Sequence, residues 1–127
     1  MNLPLLLGAF FGLTAVAAGA YANHGVDPDD VEKVMLAVRS QQLHGMVMLV
    51  FGFSSYAPLP NGLRTKMKIS TGLLTLGILL FSGVIFLKYF LGFMALGFLV
   101  PFGGVTIMLG WLVLIWAGFV HGVKARD

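Results

Sequence analysis

The chain alternates long apolar runs with short polar interruptions, and the runs are too long for strands. From Leu3 to Ala22 the residues are almost all apolar or small. These twenty residues suffice for one helical crossing of a hydrocarbon layer about 30 Å thick. Ala20-Tyr21-Ala22 has the small-x-small form of a signal-peptide cleavage site, but no Lys or Arg precedes the run, so a spanning helix is expected. Asn23 to Asp30 then predicts a tight turn. Gly25 suits the left-handed conformation that closes a helix, Asp27 can cap the next helix, and Pro28 fits its first turn. Val31, Val34, Met35 and Val38 recur at helical spacing, with Asp29, Glu32 and Lys33 away from them. This pattern predicts an amphipathic interfacial helix over Val31 to Arg39 that leads into a second crossing at about Ser40 to Tyr56.

Pro58 and Pro60 end that crossing, because a proline ring and its missing donor break a helix, and they shape a loop from Leu59 to Lys68. A third uncharged run from Ile69 to Leu87 predicts the next crossing, stopped by Lys88-Tyr89, a cation and an aromatic of the kind that anchor among headgroups. Tyr89 to Val123 is again free of charge. As one helix it would measure about 52 Å at 1.5 Å per residue, too long for a single crossing. Gly92, Gly97 and Pro101-Phe102-Gly103-Gly104 provide the interruption. A short outer loop is therefore expected at about Phe90 to Val100 and a fourth crossing from Pro101 to about His121. The expected fold is all-α: an integral membrane four-helix bundle, one domain over residues 1–127.

Composition agrees with this pattern: 58% of the residues are hydrophobic and only 10% are charged, against about 25% charged in a soluble domain. The absence of cysteine removes disulfides, thiolate metal sites, iron–sulfur clusters and cysteine nucleophiles. A net charge of +3 could suggest nucleic acid. In so apolar a chain, however, the basic residues are expected at helix ends, facing headgroups and setting orientation. Arg64, Lys66 and Lys68, with Lys124 and Arg126 in the tail, fall on the side of the N-terminus, and Lys33, Arg39 and Lys88 fall on the other. The excess predicts both termini in the cytoplasm.

Five strings, in order, resemble a known family: Gly19-Ala20-Tyr21-Ala22-Asn23-His24-Gly25, Arg39-Ser40-Gln41-Gln42-Leu43-His44, Leu80-Phe81-Ser82-Gly83, Pro101-Phe102-Gly103-Gly104 and Gly110-Trp111. Together they are similar to the small four-helix inner-membrane proteins grouped as domain of unknown function 423, relatives of transmembrane protein 256. The chain departs from that pattern at Asn23, Ser40 and Leu43. The resemblance implies a multi-pass protein of the bacterial cytoplasmic membrane and implies no reaction.

Candidate chemistry is confined to a few positions. Tyr21, Asn23, His24, Arg39, Gln41, Gln42, His44 and Lys88 are expected in the outer third of the bundle, and polar residues inside a membrane raise a functional hypothesis by default. One reading is an outward-facing polar pocket formed by His24, Arg39, Gln41 and His44, with the two histidines binding a ligand, a proton or a metal. The plainer reading has His24 and Asn23 satisfying backbone groups at a helix end, and Gln41 and His44 bonding to a neighbouring helix. A second signal is small residues at helical spacing. Gly8, Gly12 and Gly19 on the first helix, and Gly118 and Gly122 near the end of the last, allow close backbone approach, either inside the bundle or to a partner helix.

No phosphate loop, no nucleophile with a placed base, no carboxylate within a crossing and no nucleic-acid module is found. Expected, therefore, are no catalytic residues, no cofactor and no metal site. The expected partners are the lipid bilayer and either another membrane protein or further copies of the chain. The expected role is that of an accessory or structural subunit of a membrane complex. The alternative is a small transporter or channel using the polar pocket, weakened by the lack of intramembrane carboxylates.

Overall fold

The structure, a computed structural model, describes residues 1–122. The basic tail residues Lys124 and Arg126, used above for orientation, lie outside the described residues. The elements are α1 (Leu3–Gly25), α2 (Val31–Ser54), α3 (Asn61–Ile78), a π-helical turn (Leu79–Gly83), α4 (Val84–Leu91), a short 3-10 turn (Gly97–Leu99) and α5 (Val100–Val120). The segment from α3 through the π turn to α4 is one continuous crossing, so four helices are long and apolar enough to span a membrane.

Two antiparallel hairpins make the bundle. In the first, α1 lies directly on α2 because glycines remove the side chains that would hold them apart. A Cβ on Gly8 would stand 2.7 Å from the Gly45 carbonyl oxygen, and one on Gly52 would stand 2.6 Å from the Leu5 Cβ and 2.7 Å from its backbone. Asn2 secures the open end. Its Oδ1 accepts from the Leu5 N–H, capping α1, while its Nδ2 donates to the Gly52 carbonyl at 2.8 Å. In the second hairpin α5 lies on α3 and the π turn in the same manner: Gly103 faces the Leu80 and Phe81 backbone and Gly110 faces Leu74. Ser70 adds a bond to the Gly110 carbonyl at 3.1 Å.

The hairpins meet over a core that draws on every crossing: Phe11, Met48, Leu74, Ile78 and Ile107. A second cluster, Ala15, Ala18, Ala22, Val34 and Val38, packs the far end of the first hairpin against Phe86, Tyr89 and Phe90. Most large exposed side chains are apolar, among them Phe10, Leu13, Phe102, Leu112 and Ile115. They form the outer surface that a membrane protein presents to lipid.

Several sequence expectations are corrected. Gly25 ends α1 inside the helix, followed by an extended Val26 with φ −124°. Gly92 is the glycine with positive φ, 70°, and it closes α4 with the Gly92 and Phe93 N–H groups donating to the Lys88 and Leu87 carbonyls. Asp27 does not cap α2, which begins at Val31 after Asp30. Instead the Asp27 carboxylate accepts from the Asp29 N–H within the turn. Arg64, Lys66 and Lys68 lie on the first turns of α3 and not in a loop, because Pro60 precedes the helix, where a missing N–H costs nothing.

Candidate functional site

The polar side chains buried in the crossings lie at mid-bundle, not in its outer third. Gln41 and His44 are 3% and 5% exposed and sit near the middle of α2. Gln41 Nε2 donates to the Phe11 carbonyl at 3.0 Å and to the Thr14 hydroxyl, both at mid-height on α1. His44 bridges in the other direction. Its Nδ1 lies 2.6 Å from the Ser40 carbonyl one turn back, and its Nε2 lies 3.0 Å from Nε1 of Trp111, midway along α5.

These partners fix the imidazole's state. An indole N–H can only donate and a carbonyl can only accept, so Nε2 is the acceptor and Nδ1 carries the proton. His44 is therefore a neutral ring with both nitrogens engaged, and its plane meets that of Trp111 at 68° with centroids 6.0 Å apart. Ser82, inside the π turn and fully buried, donates to the Ala37 carbonyl at 2.8 Å. This ties the third crossing to α2. Among the described residues every buried side-chain nitrogen and oxygen has a hydrogen-bond partner. That is the condition for polar groups to lie where no water can reach them.

The four residues expected to line one pocket are not brought together. His24 is exposed near the end of α1. It lies ten residues, about 15 Å along the helix, beyond the Thr14 that meets Gln41. Arg39 is exposed and pairs with Glu32, Nη1 to Oε1 at 2.8 Å, on the interfacial part of α2. Gln41 and His44 stay on one buried face but bond to different helices. Gln42, Tyr21 and Asn23 are exposed. The outer end does hold a depression of about 510 Å³, but Asp27, Asp30, Lys33 and Lys88 line it. Among the described residues no group of three His, Asp or Glu side chains is arranged to hold a metal ion.

The glycines divide as well. Gly8 is internal to the first hairpin and a Cβ on Gly19 would stand 3.4 Å from Val38 Cγ1, whereas a Cβ on Gly12 or Gly118 would enter open space. Among the described residues, a Cβ on Gly122 would approach the Gly118 carbonyl, at 4.0 Å. Sequence reasoning did not single out Thr14, Ser82 or Trp111 as partners. An indole inside a crossing needs an acceptor, and that requirement on Trp111 was the available signal for the bond to His44.

The chain is similar to known proteins over most of its length. A family model described as "Protein of unknown function (DUF423)" matches residues 18–104. A "UPF0382 membrane protein" of Staphylococcus epidermidis is 33% identical over 119 residues, covering 91% of this chain and 93% of the relative. A namesake in Staphylococcus haemolyticus is 31% identical, covering 94% and 97%, and the "UPF0382 membrane protein YwdK" of Bacillus subtilis is 29% identical, covering 91% and 94%. No solved structure matches.

Proposed function

The chain belongs to the DUF423 family, and from that premise we propose that it is a noncatalytic accessory or structural subunit of a larger assembly in the cytoplasmic membrane. The observation that carries this reading is the use made of the intramembrane polar groups. Gln41, His44, Ser70 and Ser82 each hold one helix to another. Chemistry or transport would draw on such groups, and here their hydrogen-bonding capacity goes to fixing a rigid scaffold. What a scaffold offers a partner is its outside. Gly12 on α1 and Gly118 on α5 each leave room beside an apolar surface for a neighbouring helix to approach closely.

Purification of the native protein in mild detergent tests this reading. It should elute with another membrane protein or as a homo-oligomer, and Gly118→Leu or Gly12→Leu should release that partner while the melting midpoint of the protomer is unchanged. A monomer that moves a solute across liposomes would overturn the proposal.

Orientation is part of the same proposal. Both termini and the start of α3 face the cytoplasm, supported by the basic residues Arg64, Lys66 and Lys68 at that end. The chain has no cysteine, so single replacements report without background. In intact cells an impermeant thiol reagent should label Asp29→Cys and spare Asn61→Cys. The reverse pattern would invert the topology.

A further inference from the structure

An apolar crevice of about 890 Å³ lies at the end where α1 begins and α2 finishes. It arises from how the hairpins meet. At the far end Tyr21 of α1 packs edge-on against Phe90 of α4, with ring centroids 5.1 Å apart. At the near end α1 is drawn onto α2 by Gly8, Gly45 and Gly52, and the crevice lies between this pair and α3. Leu7, Phe51, Thr75 and Leu79 line its depth, and Arg64 and Lys68 stand at its mouth.

Three features specify an occupant. The first is length: from Lys68 to Leu79 the helix rises about 16 Å, which is about half of a 30 Å hydrocarbon core and so the depth of one leaflet. The second is charge. Arg64 and Lys68 are one helical turn apart on the same face, and none of the described residues lining the crevice is acidic. Lys66, between them, is turned away, with Nζ 3.1 Å from His121 Nε2 and 4.5 Å from the centre of the Trp116 ring. The third is posture. Arg64 Nη2 donates to the Ala57 carbonyl at 3.2 Å, which holds the guanidinium at the mouth while a fork of five donors leaves several for a further acceptor. The lining hydroxyls of Thr71 and Thr75 donate to carbonyls of their own helix, so the depth of the crevice is apolar in effect.

We propose that this crevice is a specific site for an anionic phospholipid, its phosphate held by Arg64 and Lys68 and one acyl chain lying along α3 between Leu7 and Leu79. The volume falls within the roughly 300–1,000 Å³ of ordinary ligand sites. A basic opening between membrane helices is the arrangement that selects acidic headgroups over zwitterionic ones. The site is distinct from the open glycines at Gly12 and Gly118, and it stands whether or not a protein partner exists.

The test is native mass spectrometry of delipidated protein titrated with phosphatidylglycerol and, separately, with phosphatidylcholine of the same chains. One phosphatidylglycerol per chain should bind about thirtyfold more tightly, the factor expected for two basic groups at an acidic lipid surface. Arg64→Gln with Lys68→Gln should abolish the preference, while Lys33→Gln with Lys88→Gln at the opposite end should leave it intact. Gly72→Leu provides a steric arm: Gly72 lines the crevice, and a Cβ there meets nothing within 4 Å, so the added bulk should displace lipid without loosening the bundle. Equal binding of the two lipids, or a preference that survives the Arg64/Lys68 change, would overturn the proposal, as would undiminished binding by a folded Gly72→Leu protein.

Discussion

Gly103→Leu is expected to separate α5 from the third crossing and to lower the stability of the bundle by at least about 1–3 kcal/mol, the usual cost of forcing bulk into a close-packed interior. The obstacle is backbone and not a side chain that could swing aside. The first carbon alone would stand 2.5 Å from the Phe81 nitrogen and 2.7 Å from the Leu80 carbonyl carbon. Gly8→Leu should act in the same way on the first hairpin, where the Gly45 oxygen and the Leu49 nitrogen stand 2.7 and 2.8 Å from the added carbon. Thermal unfolding in detergent, followed by far-ultraviolet circular dichroism, measures both against Gly118→Leu, which adds the same group to open space. A Gly103→Leu protein that melts with the Gly118→Leu control would mean that α5 does not lie against the π turn.

The contrast between these glycines explains why the fold was more legible than the site. Spans could be read because burial in lipid requires uninterrupted apolar runs of a fixed length. Leu3–Gly25 and Val31–Ser54 emerged close to their predicted limits, the latter as one helix combining the interfacial and spanning portions. What the pattern does not contain is rotation. Gly8 and Gly12 both stand beside Gly45 of α2, yet a Cβ on the first would strike α2 and a Cβ on the second would enter open space, because four residues carry a helix about 40° past a full turn.

Depth was misjudged for a related reason. Gln41 and His44 follow a charged amphipathic stretch, which placed them near the headgroups in the sequence reading. The continuation of α2 without a break from Val31 carries them to mid-bundle instead. The π turn at Leu79–Gly83 was also beyond reach. No proline marks it, and the bond from Ser82 to Ala37 and the approach of Gly103 to Leu80 and Phe81 depend on tertiary packing.

The bond between His44 and Trp111 supplies the second large effect and tests whether the polar interior holds the hairpins together. Removing either partner strands the other: His44→Leu leaves the indole N–H of the partly exposed Trp111 without an acceptor inside a crossing, and Trp111→Phe leaves the buried Nε2 without a donor. Each single replacement should cost about 1–2 kcal/mol, including lost packing of the rings. The double replacement leaves neither group stranded, so it should cost less than the sum. The coupling between the two sites, measured by reversible unfolding in mixed micelles, should be about 1 kcal/mol, within the range found for hydrogen bonds between membrane helices. Gln41→Leu should be additive with both, because its acceptors, Phe11 and Thr14, lie on α1 and belong to the other contact of α2. Strict additivity of His44→Leu and Trp111→Phe would show that this bond does not hold α5 to α2, and would leave the bond from Ser82 to the Ala37 carbonyl as the polar tie between the hairpins.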